Sequence, residues 1–209
     1  MRQSTHIKIC GLTSLEDAHA AVEAGADALG LNFWPGTPRR IDRRVAAAIA
    51  SEFRGLVELV GVFVDAPAED VRSLRADLGL DWVQLHGAES AEEVAALGPR
   101  AYKAVGVRDA ADVSAALRFP GPRLLLDARV EGAMPGGTGV AFEWDLAVEV
   151  AKHRELTLAG GLNPDNVAEA VRRVQPARVD VASGVETRPG VKDVNAMRAF
   201  VEAVRGALL

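Results

Sequence analysis

Leu156-Thr157-Leu158-Ala159-Gly160-Gly161-Leu162-Asn163-Pro164-Asp165-Asn166-Val167 reads as the joint between a strand and a helix. The first four residues form a short apolar run and the two glycines supply a turn. Asn163-Pro164 then sets a capping side chain before a proline at a first helical position, where its missing N–H costs nothing. From Val167 to Val174 the apolar residues follow helical spacing. A short run of this kind, apolar rather than alternating, marks a strand buried on both faces, the usual setting of a parallel sheet.

The same unit recurs on either side of this joint. Further apolar runs are Ile7 to Cys10, Ala28 to Phe33, Leu56 to Val64, Trp82 to Leu85, Tyr102 to Val105, Leu124 to Leu126 and Val179 to Ala182. Helical stretches follow them: Ser14 to Gly25, Asp42 to Phe53, Pro67 to Leu78, Ser90 to before Gly98-Pro99, Asp109 to Leu117, Glu143 to Lys152 and Val191 to Val204. Ser14 and Ser90 stand as capping hydroxyls before acidic first turns, and Gly25 closes its helix. Eight strands alternate with eight helices, and 209 residues shared among eight units is about 26 each, near the minimum for a (β/α)8 barrel. The sequence therefore predicts a single-domain α/β (β/α)8 TIM barrel over residues 1–209. The rival, an open doubly wound dinucleotide fold, needs G-x-G-x-x-G after the first strand. That turn here reads Cys10-Gly11-Leu12-Thr13-Ser14.

Composition narrows the function classes. Hydrophobic residues make up 49%, enough for a substantial core. With 24 Lys+Arg against 29 Asp+Glu, a net charge of -5 and no basic run, the chain lacks the electrostatic footprint for nucleic acid or an anionic membrane. A local basic pocket for a small anion stays open. The single Cys excludes an intramolecular disulfide framework and a multi-Cys zinc site. Met1 to Cys10 carries no long apolar segment of a secretory signal, and no later run approaches the roughly 20 apolar residues of a membrane span, so the expected location is cytoplasmic.

In such a barrel the active site lies at the C-terminal ends of the strands. The polar residues there are Cys10, Asn32, Arg39, Asp65, His86, Asp127, Asp180 and Ser183. Glycine-bearing turns after the seventh and eighth strands, Gly160-Gly161 and Ser183-Gly184, occupy the standard barrel position for a phosphate held by backbone N–H groups. Each candidate also has a bland reading. Cys10 is equally a small buried hydrophobe. Asp127, directly after Leu124-Leu125-Leu126, must be paired or used, and loop amides would serve. His86 could satisfy a loop carbonyl, Arg39 and Arg40 could be solvated, and Trp34, Trp82 and Trp144 are packing residues by default. Asp65 reads as a helix cap.

Several stretches together resemble the phosphoribosylanthranilate isomerase family of tryptophan biosynthesis, over essentially the whole chain. They are Lys8-Ile9-Cys10-Gly11-Leu12-Thr13, Gly30-Leu31-Asn32-Phe33 through to Thr37-Pro38-Arg39, Val60-Gly61-Val62-Phe63-Val64, Val83-Gln84-Leu85-His86-Gly87 and Lys103-Ala104-Val105. To these add Leu126-Asp127 with Gly136-Gly137-Thr138-Gly139, Ala159 to Val167, and Asp180-Val181-Ala182-Ser183-Gly184-Val185-Glu186. The resemblance implies a barrel with no metal and no organic cofactor, acting on a small phosphosugar as a monomer or homodimer. The reaction it implies is the Amadori rearrangement of N-(5-phosphoribosyl)anthranilate to 1-(2-carboxyphenylamino)-1-deoxyribulose 5-phosphate.

By the same resemblance Asp127 is the general acid and Cys10 the general base. Strands 1 and 6 are three steps apart around a ring of eight, so their ends can face each other across a sugar. The acid must be protonated near neutrality and the base ionised, which burial could do for Asp127 and nearby positive charge for Cys10. Gly160, Gly161, Ser183 and Gly184 are expected at the phosphate, Arg39 and His86 near the anthranilate carboxylate, and Asp180 near the sugar. Departures from the family are Trp34, Gly36 and Glu143-Trp144. The glycine-rich loop Ala128 to Ala141 is a candidate lid. Three alternatives are a related isomerase acting on a histidine-pathway aminoimidazole, an inactive phosphate-binding barrel, and a metal-dependent epimerase. The first would carry Asp where this chain has Cys10, the second has no need of both Cys10 and Asp127, and the third needs several converging histidines.

Overall fold

The computed structural model describes residues 5–128 and 144–207, with Ala128 described by its backbone alone. Residues 129–143 lie outside that set, and with them Gly136-Gly137-Thr138-Gly139, Glu143 and most of the candidate lid.

Eight parallel strands close into a barrel in sequence order, each followed by a helix that returns the chain to the same end. They are β1 His6–Cys10, β2 Ala28–Asn32, β3 Glu58–Phe63, β4 Trp82–Leu85, β5 Ala101–Val107, β6 Arg123–Ala128, β7 Glu155–Leu158 and β8 Arg178–Val181. The helices are α1 Leu15–Ala24, α2 Arg43–Phe53, α3 Ala68–Leu78, α4 Ala91–Ala96, α5 Ala110–Ala116, α6 Trp144–His153, α7 Val167–Val174 and α8 Val194–Gly206. Closure comes from β1 pairing with β8, Ile7 opposite Val179 and Ile9 opposite Val181. No helix among the described residues is long and apolar enough to cross a membrane.

The predicted caps act as caps at two helices. Ser14 Oγ accepts from Asp17 N, and Ser90 with Glu93 forms a reciprocal capping box. Four local expectations change. The run from Leu56 starts too early, because Gly55 to Val57 is a turn that leaves Leu56 72% exposed, and β3 begins at Glu58. Asp65 does not cap α3, whose first turn follows Pro67; its Oδ1 instead accepts from Ala88 N, joining the loops after β3 and β4. Asn163 Oδ1 accepts from Asp165 N and Asn166 N as a cap would, but only a single turn forms there, and α7 proper begins at Val167. Val191-Lys192 is not helical: it pairs antiparallel with Glu186–Arg188 as a hairpin, β9 and β10, and Asp193 caps α8.

Alternation along the strands sorts side chains into two layers. Ile7, Ile9, Leu29, Leu31, Leu124, Leu126, Leu156, Leu158, Val179 and Val181 face the helices and build the main core with Ile49, Val71, Phe200 and Met197. The intervening positions face the barrel axis. Ala28, Val60, Tyr102, Ala104, Leu125 and Ala159 pack there as a second, small cluster. At the N-terminal end Arg123 plugs the barrel, with Nη1 and Nη2 on Glu58 at 3.1 and 2.9 Å, Nε on Glu155 at 3.2 Å, and the guanidinium 3.6 Å from the Trp82 ring centroid.

Candidate active site

Above the Arg123 plug the axis-facing residues change character. Lys8 and Cys10 are two apart on β1, so both point inward, as do Gln84 and His86 at the end of β4 and Leu125 and Asp127 on β6. Lys8 Nζ donates to Asp180 Oδ1 at 3.0 Å and to Gln84 Oε1 at 2.9 Å, and Tyr102 Oη donates to the same Gln84 oxygen at 3.0 Å. This buried polar layer forms the floor of a pocket. Around it the C-terminal strand ends and their loops enclose about 600 Å³ of atom-free space, part of it open to solvent.

Eight predicted residues line that pocket: Cys10, Arg39, His86, Asp127, Gly160, Gly161, Asp180 and Ser183. Asn32 lines it too, its Oδ1 accepting from Trp34 N. Gly184 does not. It seats the loop after β8 against the loop after β7, where a Cβ would fall 2.0 Å from Leu162 O. The requirement for glycine is therefore close approach, one step behind the surface that a ligand would touch.

Cys10 sits opposite Gly30 of β2, and a Cβ on Gly30 would come within 2.7 Å of its Sγ. Burial and then the Asp180 carboxylate push the thiol up. The expected positive charges are present, since Lys8 and Lys192 pull the other way, but they do not outweigh burial. Lys8 itself is held above the ordinary lysine range: burial opposes its charge, and Asp180 foremost, with Cys10 and Tyr102, restores it.

Asp127 is 4% exposed, and its Oδ2 lies 3.4 Å from His86 Nε2. His86 is pushed down to about 3 by burial and by the charges of Lys103 and Lys8, so near neutrality it is an uncharged imidazole. It can offer a ligand a hydrogen bond but not a charge.

Arg39, in the loop after β2, reaches the hairpin after β8. Its Nε and Nη2 donate to Glu186 Oε1 and Oε2 at 2.9 and 2.8 Å, and Lys192 Nζ donates to Glu186 Oε1 at 2.9 Å. Burial disfavours the Glu186 charge, yet hydrogen bonds from Arg39 and Lys192 hold its carboxyl below the usual range. Two cations on one carboxylate leave the cluster net positive. The side-on grip uses two of the five donors of the guanidinium, and its Nη1 edge is the one suited to a second anion.

Gly160 and Gly161 both have left-handed φ, +86° and +67°. Gly161 O accepts from Asn166 Nδ2, and Asn163 N donates to Asn166 Oδ1, so the turn is pinned to the start of α7. Facing it, Ser183–Val185 forms a single 3-10 turn after β8. Among the described residues no three His, Cys, Asp or Glu side chains gather as a metal-ligand set.

Lys8, Gln84, Tyr102, Glu186 and Lys192 are not among the residues that the sequence singles out. Parity would have found the first two, each a polar residue inside an apolar run and two before a candidate, Cys10 and His86. Glu186 and Lys192 depend on a hairpin that helical spacing after Val191 concealed.

A family profile described as N-(5'-phosphoribosyl)anthranilate (PRA) isomerase matches residues 7–203. The N-(5'-phosphoribosyl)anthranilate isomerase of Magnetococcus marinus is 49% identical over 201 residues, covering 96% of this chain and 95% of that one. A structure of monomers of the dimeric phosphoribosylanthranilate isomerase from Thermotoga maritima superposes with a TM-score of 0.86 at 39% identity, covering 97% and 99% of the two chains. A solved phosphoribosylanthranilate isomerase in complex with reduced 1-(o-carboxyphenylamino)-1-deoxyribulose 5-phosphate superposes with a TM-score of 0.86 at 38% identity, with the same coverage.

Proposed function

The chain belongs to the N-(5'-phosphoribosyl)anthranilate isomerase family, and on that premise we propose that Cys10 and Asp127 are the base and acid of its rearrangement. The protein is an isomerase of tryptophan biosynthesis that converts N-(5'-phosphoribosyl)anthranilate to 1-(2-carboxyphenylamino)-1-deoxyribulose 5-phosphate. The observation that carries the assignment is that Cys10 on β1 and Asp127 on β6 line one pocket, with the Lys8–Asp180 ion pair in its floor and the Gly160-Gly161 turn and Ser183 in its wall.

Asp127 gives a proton to the ring oxygen of the sugar, the C1–O bond breaks, and the electrons of the anthranilate nitrogen form a cationic imine at C1. That cation acidifies the C2 proton, and the Cys10 sulfur removes it to give the enolamine. The enolamine then takes a proton at C1 and gives up the proton of its C2 hydroxyl to become the ketone, so the two protons the site donates equal the two it receives. A base and an acid suffice for these steps, so the reading is metal-free and without organic cofactor. The thiolate that attacks C2–H is a minor form, because burial favours the thiol, and Lys8 and Lys192 stabilise it as it forms.

Gly160, Gly161 and Ser183 bind the phosphate, with Gly184 holding their loops together. Asp180 lies at the sugar, the Nη1 edge of Arg39 meets the anthranilate carboxylate, and neutral His86 supplies a hydrogen bond. Residues 1–209 act as one catalytic domain, supported by eight strands closing one barrel. The partner is the phosphosugar alone, with no nucleic acid or membrane, and the chain works as a monomer or homodimer. A cytoplasmic location fits an unpaired catalytic thiol, which an oxidising compartment would put at risk.

Turnover of N-(5'-phosphoribosyl)anthranilate by Cys10→Ala and Asp127→Asn, with and without chelator, tests the assignment. Each variant should lose about 100-fold or more in kcat, with the parent indifferent to chelator. Near-parental turnover by either variant overturns the role of that residue.

A further inference from the structure

We infer that Gln84 is a positioning residue whose amide, oriented from below by Lys8 and Tyr102, fixes the proton of His86 on Nε2, facing Asp127. The inference rests on Asp127 as the acid, and it starts from a donor that cannot change roles.

Lys8 Nζ has protons and no acceptor, so the Gln84 atom 2.9 Å away must be the carbonyl Oε1. Tyr102 Oη, 3.0 Å from the same oxygen, completes it. The Gln84 amide nitrogen is thereby turned toward His86, where Nε2 lies 3.5 Å from Nδ1. An NH2 group only donates, so Nδ1 accepts and the neutral ring carries its single proton on Nε2. That nitrogen is the one 3.4 Å from Asp127 Oδ2. A charged imidazole would set N–H against N–H at Nδ1, in keeping with the low basicity of His86. Lys8 on β1 donates both to Asp180 on β8 and to Gln84 on β4; from Gln84 the donation passes on to His86, whose Nε2 faces Asp127 on β6.

The chemical effect falls on one oxygen. With Oδ2 facing an N–H donor, the proton of the carboxylic acid belongs on Oδ1. When that proton has gone to the ring oxygen, the same N–H stabilises the carboxylate left behind. The contribution appears after substrate is bound, and so in kcat rather than KM.

Protein labelled with 15N-histidine reports which ring nitrogen carries the proton through its 15N–1H couplings, and His86→Gln assigns the signal among the four histidines. The parent should show the Nε2–H form. Gln84→Glu places an acceptor opposite Nδ1, and should move the proton to Nδ1 and lower kcat about tenfold or more, with KM within about twofold. An Nδ1–H signal in the parent overturns the inference. So does an unchanged tautomer in Gln84→Glu, or a changed one with parental kcat. If Gln84→Glu does not fold, the parent spectrum still decides the tautomer, and Gln84→Met, which lacks the amide donor, must show the fall in kcat. Asp127→Asn runs alongside: parental turnover there removes the acid assignment, while the spectra alone decide the position of the His86 proton.

Discussion

Arg39 grips Glu186 side-on through two near-parallel hydrogen bonds of 2.9 and 2.8 Å, joining the loop after β2 to the hairpin after β8. The guanidinium is thus already ordered before any substrate arrives, which lowers the entropy lost when a second carboxylate docks on its free edge. Arg39→Ala should raise KM about 10- to 100-fold with a smaller change in kcat. An unchanged KM in steady-state assays would move the anthranilate carboxylate elsewhere.

Glu186 makes that bridge sensitive to acid. Its folded carboxyl is held below the ordinary glutamate value, so its share of stability is present above that value and lost as pH falls through the folded one. Thermal melts carried from neutrality down past the ordinary glutamate value should show Glu186→Gln losing less stability than the parent in the range below that value. Parallel slopes would mean that the Glu186 charge does not support the fold.

The raised Cys10 thiol fixes the direction of a pH profile. The free enzyme needs the ionised form, so kcat/KM should keep climbing above neutral pH instead of levelling near an ordinary cysteine value. Iodoacetamide should label the unliganded protein slowly at neutral pH and faster as pH rises. A plateau below neutrality would indicate a thiolate at rest.

Gly184→Ala would drive a methyl group into Leu162 O, 2.0 Å away, and force the two phosphate loops apart. The expected result is a KM raised about tenfold, weaker competitive inhibition by inorganic phosphate, and a stability loss of about 1–3 kcal/mol. Unchanged inhibition by phosphate would separate this glycine from the anion site.

Arg123 is a control at the opposite end of the barrel. Replacing it by Ala leaves Glu58 without its bidentate partner and should cost about 3 kcal/mol of stability while kcat stays parental. A fall in kcat in the folded variant would tie the plug to the catalytic end.

Repetition made the barrel legible in the sequence. One short apolar strand, one turn and one helix recur eight times, and each apolar run shows itself without reference to its neighbours. The residues at the strand ends were legible for the same reason, since Cys10, His86 and Asp127 each follow an apolar run. What stayed hidden depends on contacts across the barrel. Lys8 in Ile7-Lys8-Ile9 becomes meaningful only when β8 brings Asp180 beside it. Glu186 and Lys192 become meaningful only when the hairpin brings Arg39 to them. Asp65 shows the converse: a favourable local role as a cap gave way to a bond with Ala88 from another unit.

The pairing of β1 with β8 sets a timetable for the nascent chain. Cys10 is made near the start of synthesis, while Asp180 and the strand edge that covers β1 come some 170 residues later. Until then the backbone N–H and C=O groups along one edge of β1 have no strand partner. The last strand to emerge therefore closes the barrel and brings Asp180 to Lys8 in the same event, so a chain stalled before Arg178 has neither a closed sheet nor a completed pocket floor.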